Sequence, residues 1–135
     1  MKAEPLISII INCYNGEAFL RTAIDSIYSQ TYKNWEIIFW DNASTDQSAD
    51  IALSYDNKIQ YYKDSSTKPL YEARGLAVAK ARGEYLAFLD CDDWWDPRKL
   101  ERQIIRFEDD EIGFVYGRYW IENEKDGTRK ISRQP

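Results

Sequence analysis

Residues 84–93 read Glu-Tyr-Leu-Ala-Phe-Leu-Asp-Cys-Asp-Asp, an apolar run that ends in three carboxylates, Asp90, Asp92 and Asp93. On an extended strand side chains alternate with period two, so Asp90 and Asp92 are expected on the same side. Two carboxylates aimed together repel unless a cation lies between them. The chemistry this predicts is a hard-metal site at the carboxyl end of a buried strand, where open α/β sheets hold their ligands. An aspartate triplet on a surface loop is more often simply solvated. Here Leu86-Ala87-Phe88-Leu89 before it and Trp94-Trp95 after it argue against that reading.

Two more apolar runs stop at polar clusters, Asn12-Cys13-Tyr14-Asn15 and Asp41-Asn42-Ala43-Ser44. Tyr14 is either a flat surface for a base or a ring packed on its own helix. Asp41 is a hydrogen-bonding partner for a base or only a turn residue. Ser44 suits a helix cap better than a ligand group. Arg74 is an exposed helix former or a guanidinium directed at a base or diphosphate. The familiar nucleotide fingerprints are missing: no Gly-x-Gly-x-x-Gly follows the first strand, and there is no Gly-Lys-Ser/Thr loop. The chain has no histidine, which removes histidine triads, histidine zinc sites and histidine general bases.

The elements that must position these clusters are legible from periodicity. Leu6–Ile11, Trp35–Trp40, Lys58–Tyr62 and Glu84–Asp90 read as strands, because each is a short apolar or β-branched run bounded by turn formers. Between them, Glu17–Gln30, a segment opened by Ser44-Thr45-Asp46-Gln47, and Pro69–Arg82 carry helical spacing. Ser44 is the expected cap of the second helix and Gln47 completes a capping box. Gly83 is the expected left-handed stop of the third. Beyond Asp96-Pro97, a helix over 98–108, strands at 112–116 and 119–122, and a turn at 125–128 follow. Strand–helix alternation predicts right-handed crossovers and a mostly parallel twisted sheet between two helical layers, a three-layer α/β/α fold. In such a sheet the three polar strand ends converge on one rim.

The 135 residues suit a single domain with a real core, and 44% apolar with 30% charged residues is globular composition. A net charge of −5 with scattered basic residues excludes a nucleic-acid partner. The longest apolar stretch, at 6–11, is too short to span a bilayer, and Met1–Pro5 enters it without a leader-type segment. Cys13 and Cys91, with no close pairing in sequence, are expected to be reduced thiols of a cytoplasmic protein.

In order and spacing these segments resemble the donor-binding half of family 2 glycosyltransferases, inverting enzymes with the Rossmann-like nucleotide-diphospho-sugar-binding fold called GT-A. The resemblance rests on Ile7-Ser8-Ile9-Ile10-Ile11-Asn12-Cys13-Tyr14-Asn15, Ser26-Ile27-Tyr28-Ser29-Gln30-Thr31-Tyr32, Trp35-Glu36-Ile37-Ile38, Asp41-Asn42-Ala43-Ser44-Thr45-Asp46, Ala73-Arg74 and Gly83 through Asp93. It implies that Tyr14 stacks on the base with Asn12 nearby, that Asp41 and Asn42 hydrogen-bond the base, and that Arg74 assists at the nucleotide. Asp90 would approach the ribose or the metal, and Asp92 would ligate Mn²⁺ or Mg²⁺ on the diphosphate. The implied partners are a nucleotide diphosphate sugar, UDP-linked by preference, and a saccharide or lipid-linked acceptor met in the cytoplasm or at the inner membrane face. Three positions depart from the pattern: Cys13 for a proline, Asn42 for a second aspartate and Gly75 for an asparagine. The general base is expected from a later, acceptor-binding part; Glu122 and Glu124 read as solvated surface, so the chain is expected to be a truncated enzyme that self-associates through exposed apolar surface. A catalytically inactive nucleotide-binding module is the alternative. A nucleotidyltransferase would want a glycine-rich basic loop where Asn12–Gly16 stands.

Overall fold

Strands covered by helices on both sides must be apolar on both faces, and the two central strands are. Both β1 (Ile7–Cys13) and β2 (Trp35–Asp41) are buried along almost their whole length. The computed structural model describes residues 4–132. It adds β3 (Ile59–Lys63) and β4 (Tyr85–Phe88) to give one parallel sheet in the order β3-β2-β1-β4. Helices α1 (Glu17–Tyr28), α2 (Ser48–Leu53) and α3 (Leu70–Val78) fill the connections.

This order fixes the layers. From β1 the chain steps to β2 and β3 in one direction, then returns past β1 to β4. Right-handed crossovers place helices of opposite stepping direction on opposite faces. Accordingly α3 packs Ala73 and Ala77 on Ile10, Ile38 and Trp40. On the other face α1 buries Leu20, Ala23, Ile24 and Ile27 at helical spacing, and its Tyr28 meets Trp35 edge-on, with ring centroids 4.9 Å apart.

A polar cluster at the amino end of the sheet sets where β4 begins. Glu36, 3% exposed, accepts hydrogen bonds from Ser8 Oγ at 2.7 Å, Arg82 N at 3.0 Å and Arg82 Nε at 2.9 Å. Burial pushes Glu36 upward, but the hydrogen bonds from Arg82 and Ser8 outweigh it and hold the carboxyl below its ordinary range. Ser8 Oγ also accepts from the amide of Gly83 at 2.8 Å. A Cβ at Gly83 would stand 2.6 Å from both Leu6 O and Ser8 N, so glycine is required there by close approach of backbones. The expected left-handed helix stop is corrected: α3 ends at Val78, and Gly83 has no positive φ.

Other boundaries also move. The second helix begins at Ser48 with Gln47 in the cap position and no side-chain cap, because Ser44 is held in the loop instead. Ala43 adopts φ 62°, which ends any helical path through that loop. Strand β4 stops at Phe88; the amide of Leu89 still bonds to Ile10 O at 3.1 Å, and Asp93 N closes a turn on Asp90 O at 3.0 Å. The carboxylates therefore stand in a turn, and strand alternation does not set their direction.

The chain divides into two compact units, Met1–Lys99 and Leu100–Pro135. The second contains most of α4 (Lys99–Ile104), a 3₁₀ turn (Ile105–Glu108) and an antiparallel hairpin of β5 (Trp120–Glu122) and β6 (Arg129–Ile131). The strand expected at 112–116 is absent: Ile112 N instead closes a turn on Asp109 O at 3.0 Å, and a strand needs a ladder partner to persist.

Candidate functional site

The strand order reverses between β1 and β4, and in open α/β sheets the crevice outside the carboxyl ends at that reversal is where ligands bind. Three loops meet around it. Asn42 N donates to Cys13 O at 2.8 Å and Asn15 N donates to Ser44 Oγ at 3.0 Å, tying the end of β1 to the end of β2. Asn15 Oδ1 accepts from the amide of Thr45 at 2.8 Å, and Asn15 itself sits at φ 49°, a left-handed geometry asparagine tolerates. On the other side the Cys13 and Cys91 thiols interact directly, and the amide of Tyr14 faces the Cys91 sulfur. The polar ends of β1, β2 and β4 are thus one assembly.

Within it the expected residues differ in how free they are. Tyr14 is 54% exposed, so its ring is presented to solvent. The amide nitrogen and oxygen of Asn12 are both buried without a partner, and a buried amide costs free energy until something pairs with it. Asp41 and Asn42 are bound into the scaffold. Asp41 Oδ1 accepts from Ser44 N at 2.7 Å and Oδ2 from Tyr61 Oη at 2.6 Å. Burial, then Asp41, push the Tyr61 phenol well above its ordinary value. Asn42 pairs both ways with the backbone of Lys68, each bond 2.8 Å.

Arg74 lies on α3 and reaches Asp90 Oδ1 with Nη2 at 3.2 Å, its guanidinium 5.5 Å from the centre of the Phe88 ring. Its Nε is buried and unpartnered. Asp92 and Asp93 are exposed in the turn. Partial burial, then the negative charges of Asp92 and Asp90, push the Asp93 carboxyl above its ordinary value, which marks a local negative field that a cation would relieve. Among the described residues no three histidine, cysteine, aspartate or glutamate side chains are gathered into a ready metal cage.

Sequence reasoning overlooked four participants. Asn15 bridges the loops at the ends of β1 and β2. Tyr61 satisfies Asp41, and the parallel register of β3 against β2, which sets Tyr61 beside Phe39, is the signal that would have revealed it. Cys13 and Cys91, distant in sequence, are adjacent in space. Their contact holds the Cys13 thiol down to about 7, with burial opposing, and raises Cys91.

A parallel sheet with its polar strand ends gathered at the reversal point is the layout of nucleotide-binding α/β proteins. The chain belongs to glycosyl transferase family 2, whose sequence model matches residues 8–135. It is 41% identical over 131 residues to the Escherichia coli UDP-Glc:alpha-D-GlcNAc-diphosphoundecaprenol beta-1,3-glucosyltransferase WfaP, a match covering 96% of this chain and 52% of that one. A second E. coli enzyme with the same activity in its name, WfgD, is 39% identical over 119 residues, covering 87% of this chain and 47% of its own. The chain spans about half the length of these curated relatives. The crystal structure of S. aureus TarS 1-349 in complex with UDP superposes with a TM-score of 0.70 at 27% identity, over 77% of this chain and 32% of that one. The mannosyltransferase PcManGT from Pyrobaculum calidifontis shares the fold, with a TM-score of 0.72 at 20% identity over 93% of this chain and 38% of its own. The expected GT-A architecture and family are borne out. Among the described residues no helix is long and apolar enough to cross a membrane.

Proposed function

We propose that these 135 residues are the donor-binding portion of an inverting, metal-dependent glycosyltransferase that moves a sugar from a UDP-linked donor to a lipid-linked saccharide acceptor. The observation that carries this reading is the meeting, at one sheet reversal, of an exposed aromatic ring, an orphaned amide, an arginine–aspartate pair and a free carboxylate turn. The names of relatives support the choice of donor and acceptor: UDP-Glc and a diphosphoundecaprenol-linked sugar for the E. coli enzymes, and UDP for TarS.

In this reading Tyr14 stacks on the uracil and the Asn12 amide finds its missing partners on the nucleoside. Asp41 and Asn42 line the base side. Each keeps hydrogen-bonding capacity beyond the contacts that hold it, since a carboxylate has about four acceptor sites. Arg74, now paired to Asp90, turns toward the diphosphate. Asp92 and Asp90 would hold Mn²⁺ or Mg²⁺. Their exposed oxygens suit such a cation, which needs only one or two carboxylates when phosphate oxygens complete its shell. When bound, the ion supplies positive charge that stabilises the departing nucleoside diphosphate. The base that activates the acceptor belongs, in this proposal, to the remainder of a longer enzyme, working on the cytoplasmic side at the inner membrane face. Calorimetric titration of UDP into the chain, with and without Mn²⁺, is the test. Folded protein that takes up no UDP under either condition would end the proposal.

A further inference from the structure

The parallel register of β1 and β4 pairs Ile10 with Phe88, and the Leu89 N to Ile10 O bond carries the ladder one step further. The end of β1 and the turn that follows β4 bring Cys13 and Cys91 to the same place beside Gly16. A Cβ built on Gly16 would stand 2.9 Å from Cys13 Sγ and 2.8 Å from Cys91 Sγ, so both sulfurs crowd one point that only glycine leaves open. Both cysteines are free; Cys13 is buried and Cys91 partly exposed.

We propose that Cys13 and Cys91 are a redox-closable pair: hydrogen peroxide joins them in a disulfide that displaces the Asp90–Asp93 turn and weakens nucleotide binding. The peroxide oxidises one of the two thiols to a sulfenic acid, as its O–O bond breaks and one water leaves. The other thiol then attacks that sulfur, the S–O bond breaks, and a second water carries off the oxygen and the remaining proton. Two thiols lose two electrons, and one peroxide gains them.

Closure brings the sulfurs to about 2.0 Å, well inside the contact distance of two unbonded thiols. Cys13 cannot supply that movement, because β1 is paired with β2 along its whole length. Cys91 can, because it lies beyond the end of β4, in a turn closed by the bond from Asp93 N to Asp90 O and not by a strand ladder. Asp90 and Asp92 flank Cys91 and move with it. A displacement of about 1 Å in a binding constellation is enough to cost up to about 100-fold in function. The effect on binding rests on the donor-site reading given above; formation of the disulfide does not.

The test treats the folded chain with stoichiometric hydrogen peroxide, blocks remaining thiols and maps the peptides. The expected product is a Cys13–Cys91 linked peptide that dithiothreitol releases and that Cys13→Ser or Cys91→Ser each abolishes. Thiols that stay free for alkylation, or that pass to sulfinic acid unlinked, overturn the proposal. UDP titrated with Mn²⁺ should bind the oxidised chain about fivefold or more weakly than the reduced chain, in the ordinary range of coupling between sites, with peroxide-treated Cys91→Ser unaffected. Equal affinities overturn the regulatory claim. Should reduced protein bind no UDP, the donor reading falls by itself. Amide hydrogen exchange over residues 89–95 then decides the displacement, and exchange unchanged on oxidation overturns it.

Discussion

Replacing Ser8 by alanine removes one hydroxyl from the sheet and should destabilise the fold strongly. Ser8 is fully buried. Its Oγ donates to Glu36 at 2.7 Å and accepts from Gly83 N at 2.8 Å. A hydrogen bond to a charged acceptor is worth about 1.5–3 kcal/mol, and the part-buried amide of Gly83 left unpaired adds a cost toward the low end of about 1–3 kcal/mol. The two losses share one atom and are not independent, so Ser8→Ala should cost about 3 kcal/mol, roughly two orders of magnitude in the unfolding equilibrium. Urea unfolding followed by tryptophan fluorescence reads this directly.

The same variant carries a pH signature. The folded carboxyl of Glu36 lies below its ordinary 4.5. Its contribution to stability is therefore full above pH 4.5 and is lost as pH falls through the lowered folded value. Without Ser8, burial is less opposed and the folded value rises. The gap between wild type and Ser8→Ala should be widest above pH 4.5 and narrow in acid, leaving the part due to Gly83 N. In a Glu36→Gln background the narrowing should vanish. A gap under about 1 kcal/mol, or one that does not change with pH, would refute the reasoning.

Two further outcomes are expected. Tyr61→Phe leaves Asp41 Oδ2 without its 2.6 Å partner in a fully buried site, and should cost about 1.5–3 kcal/mol in urea unfolding; a loss within about 0.5 kcal/mol would mean that water takes the place of the hydroxyl. The unit formed by residues 100–135 exposes Phe114 by 76%, Tyr116 by 62% and Trp120 by 55%, so the isolated chain should self-associate as concentration rises, and light scattering that stays monomeric at high concentration contradicts this.

The sheet and its layers were legible because β1 and β2 are apolar on both faces and bounded by turn residues, a signal that survives without tertiary information. Their convergence at one rim followed from topology. What failed were features fixed by contacts across the fold. Ser44 looks like a cap in sequence, yet Asn15, 29 residues away, claims its hydroxyl. Gly83 looks like a helix stop, but the backbone of β1 leaves no room for a side chain there. Strand alternation would set the facing of Asp90 and Asp92 only in a strand that ran through them, and β4 ends at Phe88. Their grouping as a carboxylate turn stands, although their facing cannot be read from alternation. The cysteine pair was invisible because only the packing of the β1 end against the turn after β4 brings residues that distant in the chain together.

The central claim is that the turn at Asp90–Asp93 and the loop at Asn12–Tyr14 together hold a nucleoside diphosphate with a cation. Titration of UDP in the presence and absence of Mn²⁺, on wild type and Asp92→Asn, tests it most directly. Binding should tighten about tenfold or more with Mn²⁺, about 1.4 kcal/mol, and lose that gain in Asp92→Asn while the metal-free affinity stays within about twofold. An Asp92→Asn titration indistinguishable from wild type, on protein whose unfolding curve is unchanged, would contradict it.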